Sequence, residues 1–125
     1  MKAGRVLCRA EDIADGQAKG FYLGEGPAAR ALFVVRDGSK LHGYVNACPH
    51  LGTPLEFRPD RFISADGKHI LCSTHGALFE IDGGYCVSGP CAGKRLTPVR
   101  VAIDAAERIV LAEALPAALA YPHHK

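Results

Sequence analysis

Two short stretches of the 125-residue chain carry side chains able to do chemistry. CPHLGTPLEF, residues 48–57, sets Cys48 and His50 two apart, and ILCSTHGALFEI, residues 70–81, sets Cys72 and His75 three apart. A glycine follows each pair closely, Gly52 in the first stretch and Gly76 in the second. Thiolate and imidazole are the ligands that hold zinc or iron, and four of them from two short loops can converge on one point without help from the rest of the fold. Glycine lets each loop fold back so that its amides face inward, where they can form a nest around the negative charge of thiolates and sulfides. Two roles without a metal compete with this one. Free cysteines are common in cores and histidines can be satisfied by nearby carbonyls, but that role must account for the same arrangement twice. A Cys48 or Cys72 nucleophile with a histidine base is weaker still, because catalytic partners normally meet across the fold rather than along the chain. No catalytic residue is assigned on this ground.

The mixed pairing discriminates between metals. Structural zinc usually draws like ligands from the same turn, as C-x₂₋₄-C and H-x₃₋₅-H, whereas here each turn gives one of each. In a Rieske 2Fe-2S centre two Cys hold one iron and two His the other, so each loop supplies a ligand to either iron. C-x-H followed by C-x-x-H resembles the Rieske domain. ACPHLGTPLEF and CSTHGALFEIDGGYCVSGPCAGKRLTPVRV are similar to its two cluster loops and the stretch after them, and the similarity runs from about residue 5 to 112. This resemblance implies one 2Fe-2S cluster per chain, with Cys48 and Cys72 on the buried iron and His50 and His75 on the outer one. It implies a third, proline-containing loop, SGPC, whose Gly89-Pro90 covers the cluster. The implied fold is all-β: three stacked antiparallel β-sheets, with a cluster-binding subdomain at about 47–91, a base from about 1–46 and 92–112, and a tail at 113–125. One departure stands out. Between His50 and Cys72 lie 21 residues, several more than is usual in small Rieske ferredoxins, and the excess in FRPDRFISADGKH points to a longer hairpin there.

The same resemblance bears on function. High-potential Rieske proteins have an extra Cys in each loop and a Ser and a Tyr whose hydroxyls bond cluster sulfurs; the matching positions here are Thr53, Thr74, Ala77 and Phe79. Each missing hydroxyl removes a donor that would stabilise the more negative, reduced cluster, so a low potential is expected. A stand-alone domain of this size has no room for a mononuclear iron catalytic domain, so it is not expected to be an aromatic-ring oxygenase itself. It is similar to ferredoxins that carry one electron from a reductase to a terminal oxygenase of the ring-hydroxylating dioxygenase type. Docking is expected at the His50/His75 tip, with Leu51 and Pro90 in a small apolar patch. Two alternatives stay open: a Rieske-like small subunit of a reductase such as nitrite reductase, and a structural zinc-binding module.

The elements that must position these residues are read from pattern. With 48% hydrophobic residues, 22% charged and net charge +2, the chain has the make-up of one globular domain with a modest core. The longest basic cluster is Lys94-Arg95, so no nucleic-acid partner is expected. The N-terminus lacks the apolar run of an export signal and no stretch is long enough to span a bilayer, which predicts a cytoplasmic protein with no membrane partner. Five cysteines without such a signal favour metal ligation over a disulfide framework. Cys86 and Cys91 are therefore expected as buried thiols, and Cys8 as a core residue. Short β-branched and aromatic runs broken by Gly, Asp-Gly and Pro predict strands near 4–9, 19–24, 31–36 and 41–46, the last two joined at Asp37-Gly38. Hairpins are expected around Asp66-Gly67 and Asp82-Gly83-Gly84, with two closing strands around 104–108. Helix is hinted at only over Ala10–Ala14 and in the tail from Ala112. GEGPAA, Gly24 to Ala29, matches a dinucleotide-binding fingerprint by letter, but Pro27 and RALFVV lead into a strand where that motif needs a helix N-terminus. It is taken as a loop between strands. His42 and His69 are expected as strand or surface histidines, and the two histidines of the tail as a solvated end.

Overall fold

A computed structural model describes residues 3–24, 30–49, 54–56, 58–73, 76–91 and 93–113. The chain runs β1 (Val6–Arg9), a 3-10 turn (Ala10–Asp12), β2 (Ala18–Leu23), β3 (Arg30–Asp37), β4 (Lys40–Val45), β5 (His69–Cys72), β6 (Ala77–Glu80), β7 (Cys86–Ser88), β8 (Pro98–Val99), β9 (Val101–Ile103) and β10 (Arg108–Leu111). These form three sheets with strand orders β1-β10-β9, β2-β3-β4-β8 and β5-β6-β7, and every pairing is antiparallel. The all-β architecture of three antiparallel sheets is the one expected. Among the described residues no helix is long and apolar enough to cross a membrane.

The middle sheet explains the stacking. Ala31 through Val35 of β3 form an unbroken apolar run, all buried, which is the signature of a strand covered on both faces. Alternate residues point to opposite faces, and here they enter two different cores. Leu32 and Val34 join Phe21, Leu23 and Val45 against Ile109 and Leu111 of the terminal sheet. Phe33 and Val35 join Ala18 and Tyr44 against Ile70, Cys72, Ala77 and Phe79 of the third sheet. The middle sheet is therefore the shared wall, and it is the second of these cores that receives Cys48, Cys72, Cys86 and Cys91.

Tyr44 fixes the third sheet on that wall. Its ring packs against Phe33, and its hydroxyl donates to the Ile81 carbonyl at 2.6 Å in the β6–β7 turn. Burial pushes the phenol up to about 12, so it remains a donor throughout the neutral range.

Several strand and turn assignments agree with the sequence pattern, and the differences have physical causes. The helical hint at Ala10–Ala14 amounts to one 3-10 turn, because the Arg9 amide donates to the Asp12 carboxylate at 2.9 Å and the chain is extended again at Ile13. The hairpin about Asp66-Gly67 is present, but its first arm is a single bridge, Ile63 to Ile70, rather than a strand. Turn bonds from Arg61 to Arg58 and from Phe62 to Asp60 bend the chain just before it. The closing region holds more than two strands. β8 pairs with β4 while β9, one residue later, pairs with β10, so the chain changes sheet at Arg100. Residues 25–29 of GEGPAA and residues 114–125 of the tail lie outside the described residues. Directly after GEGPAA the chain enters β3, paired antiparallel with β2.

Candidate metal centre

Cys48 lies just beyond the end of β4, and Cys72 is the last residue of β5. Both are completely buried and both belong to the core between the middle and third sheets. Their partners in the expected ligand set, His50 and His75, lie outside the described residues, as do Leu51, Gly52, Thr53 and Thr74. Among the described residues no three Cys, His, Asp or Glu side chains gather as a metal site.

What brings the two stretches together is a ladder of hydrogen bonds beginning on β3. The Asn46 amide donates to the Ala31 carbonyl at 2.9 Å. The Asn46 side-chain oxygen accepts from Leu55 N–H at 2.9 Å, and its Nδ2 donates to Glu56 at 2.8 Å. Tyr22 Oη on β2 donates to the other Glu56 oxygen at 3.1 Å. From there the Leu55 carbonyl accepts the Ser73 amide at 2.8 Å, one residue past Cys72. The segment after Cys48 is thereby bonded directly to the segment after Cys72. Asn46 is only 1% exposed, and a buried amide is retained only when its groups are paired, as these are.

The second stretch turns where glycine is required. Gly76 adopts φ 70° and its amide donates to the Cys72 carbonyl at 2.8 Å, so the chain reverses from β5 into β6; a side chain at that φ would be strained. The third loop closes against this turn. Gly89 sits at φ 107°, and a Cβ there would stand 2.8 Å from Cα of Ala77. Beyond it Pro90 is exposed and Cys91 completely buried. Ala77 and Phe79, expected from the sequence at positions that hold hydroxyl donors in high-potential relatives, are both fully buried and offer no side-chain donor.

Sulfur is concentrated on this side of the fold. Cys86 and Cys91 are free thiols, as expected, yet their sulfurs are only 2.9 Å apart. Burial pushes the Cys91 thiol up to about 12, with the neighbouring Cys86 and Cys48 sulfurs adding to the rise. Cys8, expected in the core, is half-buried on β1 against the other core, and burial raises its thiol too, with help from Asp12. His42 and His69 fall on β4 and β5, the strand positions expected of them. The sequence pattern does not single out Asn46, Glu56 or Tyr44. A buried asparagine at a strand end leaves no periodic mark, and its partners are nine and ten residues downstream.

The donor chemistry fits a 2Fe-2S group. Two thiols enclosed in one dry core can ionise only beside compensating positive charge, and a pair of irons supplies it. Among solved structures, the ferredoxin of carbazole 1,9a-dioxygenase from Nocardioides aromaticivorans IC177 is 23% identical, with 91% of this chain and 100% of that chain covered at a TM-score of 0.67. The Sphingomonas yanoikuyae B1 ferredoxin is also 23% identical, covering 89% of this chain and 99% of its own, with TM-score 0.67. A chain from the complex of reduced oxygenase and oxidized ferredoxin in carbazole 1,9a-dioxygenase is 25% identical over 93% of this chain and 95% of that one, with TM-score 0.64. Among curated protein sequences none matches. The model of the Rieske [2Fe-2S] domain matches residues 4–110, and the chain therefore belongs to the Rieske [2Fe-2S] domain family, whose cofactor is a 2Fe-2S cluster.

Proposed function

We propose that this protein is a one-electron carrier of low potential, taking electrons from a flavin- or iron–sulfur-containing reductase and delivering them to a terminal oxygenase. Cys48, His50, Cys72 and His75 would hold the cluster, the cysteines on the inner iron and the histidines on the outer one. When bound, the cluster supplies reversible one-electron chemistry. The observation that carries the reading is the pair of enclosed thiols, Cys48 and Cys72, in one core with their loops joined from Ser73 to Leu55. The similar structures support the partner class: one is the ferredoxin of a dioxygenase and another comes from a ferredoxin–oxygenase complex.

The chain's own residues have separable tasks. Asn46 and Glu56 hold the first loop to the middle sheet, and Gly76 turns the second. Apolar Ala77 and Phe79 keep hydroxyl donors away from the sulfurs, which favours the oxidised state and a low potential. We take 47–91 as the cluster-binding subdomain, 1–46 and 92–112 as its base, and the His50/His75 tip with Leu51 and Pro90 as the docking surface. Cysteines held as free thiols or as cluster ligands, rather than in disulfides, suit a reducing compartment, which supports a cytoplasmic setting.

A redox titration followed by visible absorption tests this. The midpoint is expected in the lower part of the range of about −150 to +300 mV spanned by such centres, and a value above about +100 mV would contradict the low-potential assignment. Zinc without acid-labile sulfide in an anaerobic preparation would remove the carrier role.

A further inference from the structure

We propose that Cys86 and Cys91 form a modification site: a vicinal thiol pair that a two-electron oxidant of the peroxide class closes into a disulfide behind the cluster loops. The two sulfurs are 2.9 Å apart, within about 1 Å of a covalent S–S bond. The backbone holds them there. The Cys86 amide donates to the Lys94 carbonyl and the Lys94 amide to the Cys91 carbonyl, each at 2.9 Å. Gly89 meanwhile wedges the intervening loop against Ala77. Bond formation thus needs side-chain rotation and a small shift rather than refolding.

The two thiols are not equivalent. Cys86 lies on β7, an edge strand of the third sheet, and is 8% exposed, whereas Cys91 is fully enclosed. Cys86 is therefore the less enclosed of the two residues and is taken to meet the oxidant first. It attacks one peroxide oxygen, the O–O bond breaks, and one water leaves as Cys86 becomes a sulfenic acid. The Cys91 sulfur then displaces the hydroxyl, which departs with the Cys91 proton as a second water. Two thiol hydrogens and two electrons have passed to the peroxide, and one S–S bond has formed.

The modification reaches the proposed carrier function through Cys48, which is fully buried in the same core as Cys91; this consequence rests on Cys48 being a cluster ligand. As a thiol, Cys91 keeps a proton, directed at the Cys86 sulfur here, that can turn toward the Cys48 sulfur and stabilise the reduced cluster. As half of a disulfide it has no proton to donate, so oxidation lowers the potential.

The test uses the cluster-loaded protein treated with hydrogen peroxide at low excess, then denatured in acid, labelled with a maleimide and digested with trypsin. The peptide from His69 to Lys94 contains Cys72, Cys86 and Cys91. It takes three labels before oxidation and is expected to take one, on Cys72, afterwards, with full labelling restored by a thiol reductant. Three labels after oxidation with the visible spectrum unchanged would overturn the proposal, as would loss of the label from Cys72 rather than from the pair. Cys86→Ser keeps the Cys91 proton but cannot close the bond, so its midpoint should match the reduced parent and not move with peroxide. A midpoint that falls equally in Cys86→Ser would overturn the link to Cys48. The expected labelling in a protein lacking acid-labile sulfide would uphold the thiol pair while removing the electron-carrier reading.

Discussion

Asn46 carries more of the site than its single amide suggests. Among the described residues it is the one buried amide side chain, and it joins β3, Leu55 and Glu56 at once. Asn46→Ala leaves the Leu55 N–H without its acceptor, which should cost about 1–3 kcal/mol; urea unfolding of the holoprotein measures this, and an unchanged midpoint of unfolding would show that the first loop is held by something else. The histidines offer a sharper contrast. His75→Ala is expected to abolish the visible spectrum of the cluster, while His69→Ala, on β5 with its backbone amide donating to Ser64, should leave it intact. At this scale the sequence is uneven. Cys48 and Cys72 announce themselves by their spacing from histidine, but nothing at Cys91 indicates that it shares a core with Cys48, because 42 residues separate the two and only the assembled sheets bring them together.

The strands and turns divide according to how local their causes are. β3 is legible because an unbroken run of buried β-branched and aromatic residues has few other uses. The change of sheet at Arg100 is not, since TPVRVAI presents one continuous β-like pattern and only the partners β4 and β10 divide it. The first arm of the 61–72 hairpin likewise carries strand residues, but the turn at 58–62 takes their pairing away. Two predictions belong here. Gly89→Ala places a Cβ at positive φ against Ala77, so it should destabilise the third loop by roughly 1–3 kcal/mol, seen as faster loss of the cluster spectrum on heating. In the β9–β10 turn, Asp104 accepts from the amide and guanidinium of Arg108 and from the Ala106 amide, which holds its carboxyl below the usual carboxylate range. A carboxyl lowered by folding stabilises the native state above its unfolded pKa, and that contribution is lost as pH falls from about 4 through the folded value. Asp104→Asn should flatten this part of the acid unfolding profile, and an unaltered profile would contradict it.

As a whole, the molecule places its chemistry on one side of a shared wall. The middle sheet gives one face to the terminal sheet and the other to the core containing Cys48, Cys72, Cys86 and Cys91. That division leaves the terminal sheet, built from the two ends of the chain, on the far side of the wall from Cys48 and Cys72, the two cysteines proposed as ligands. A globular all-β domain can be expected from composition and turn residues, but the double role of β3 emerges only when three sheets are assembled around it. The most direct measurement is EPR of the reduced protein, together with its iron and sulfide content. Two irons and two sulfides per chain are expected, with an average g value below that of an all-cysteine 2Fe-2S cluster, the mark of two nitrogen ligands on one iron. An all-cysteine signal, or a protein silent in EPR and loaded with zinc, would contradict the account at its centre.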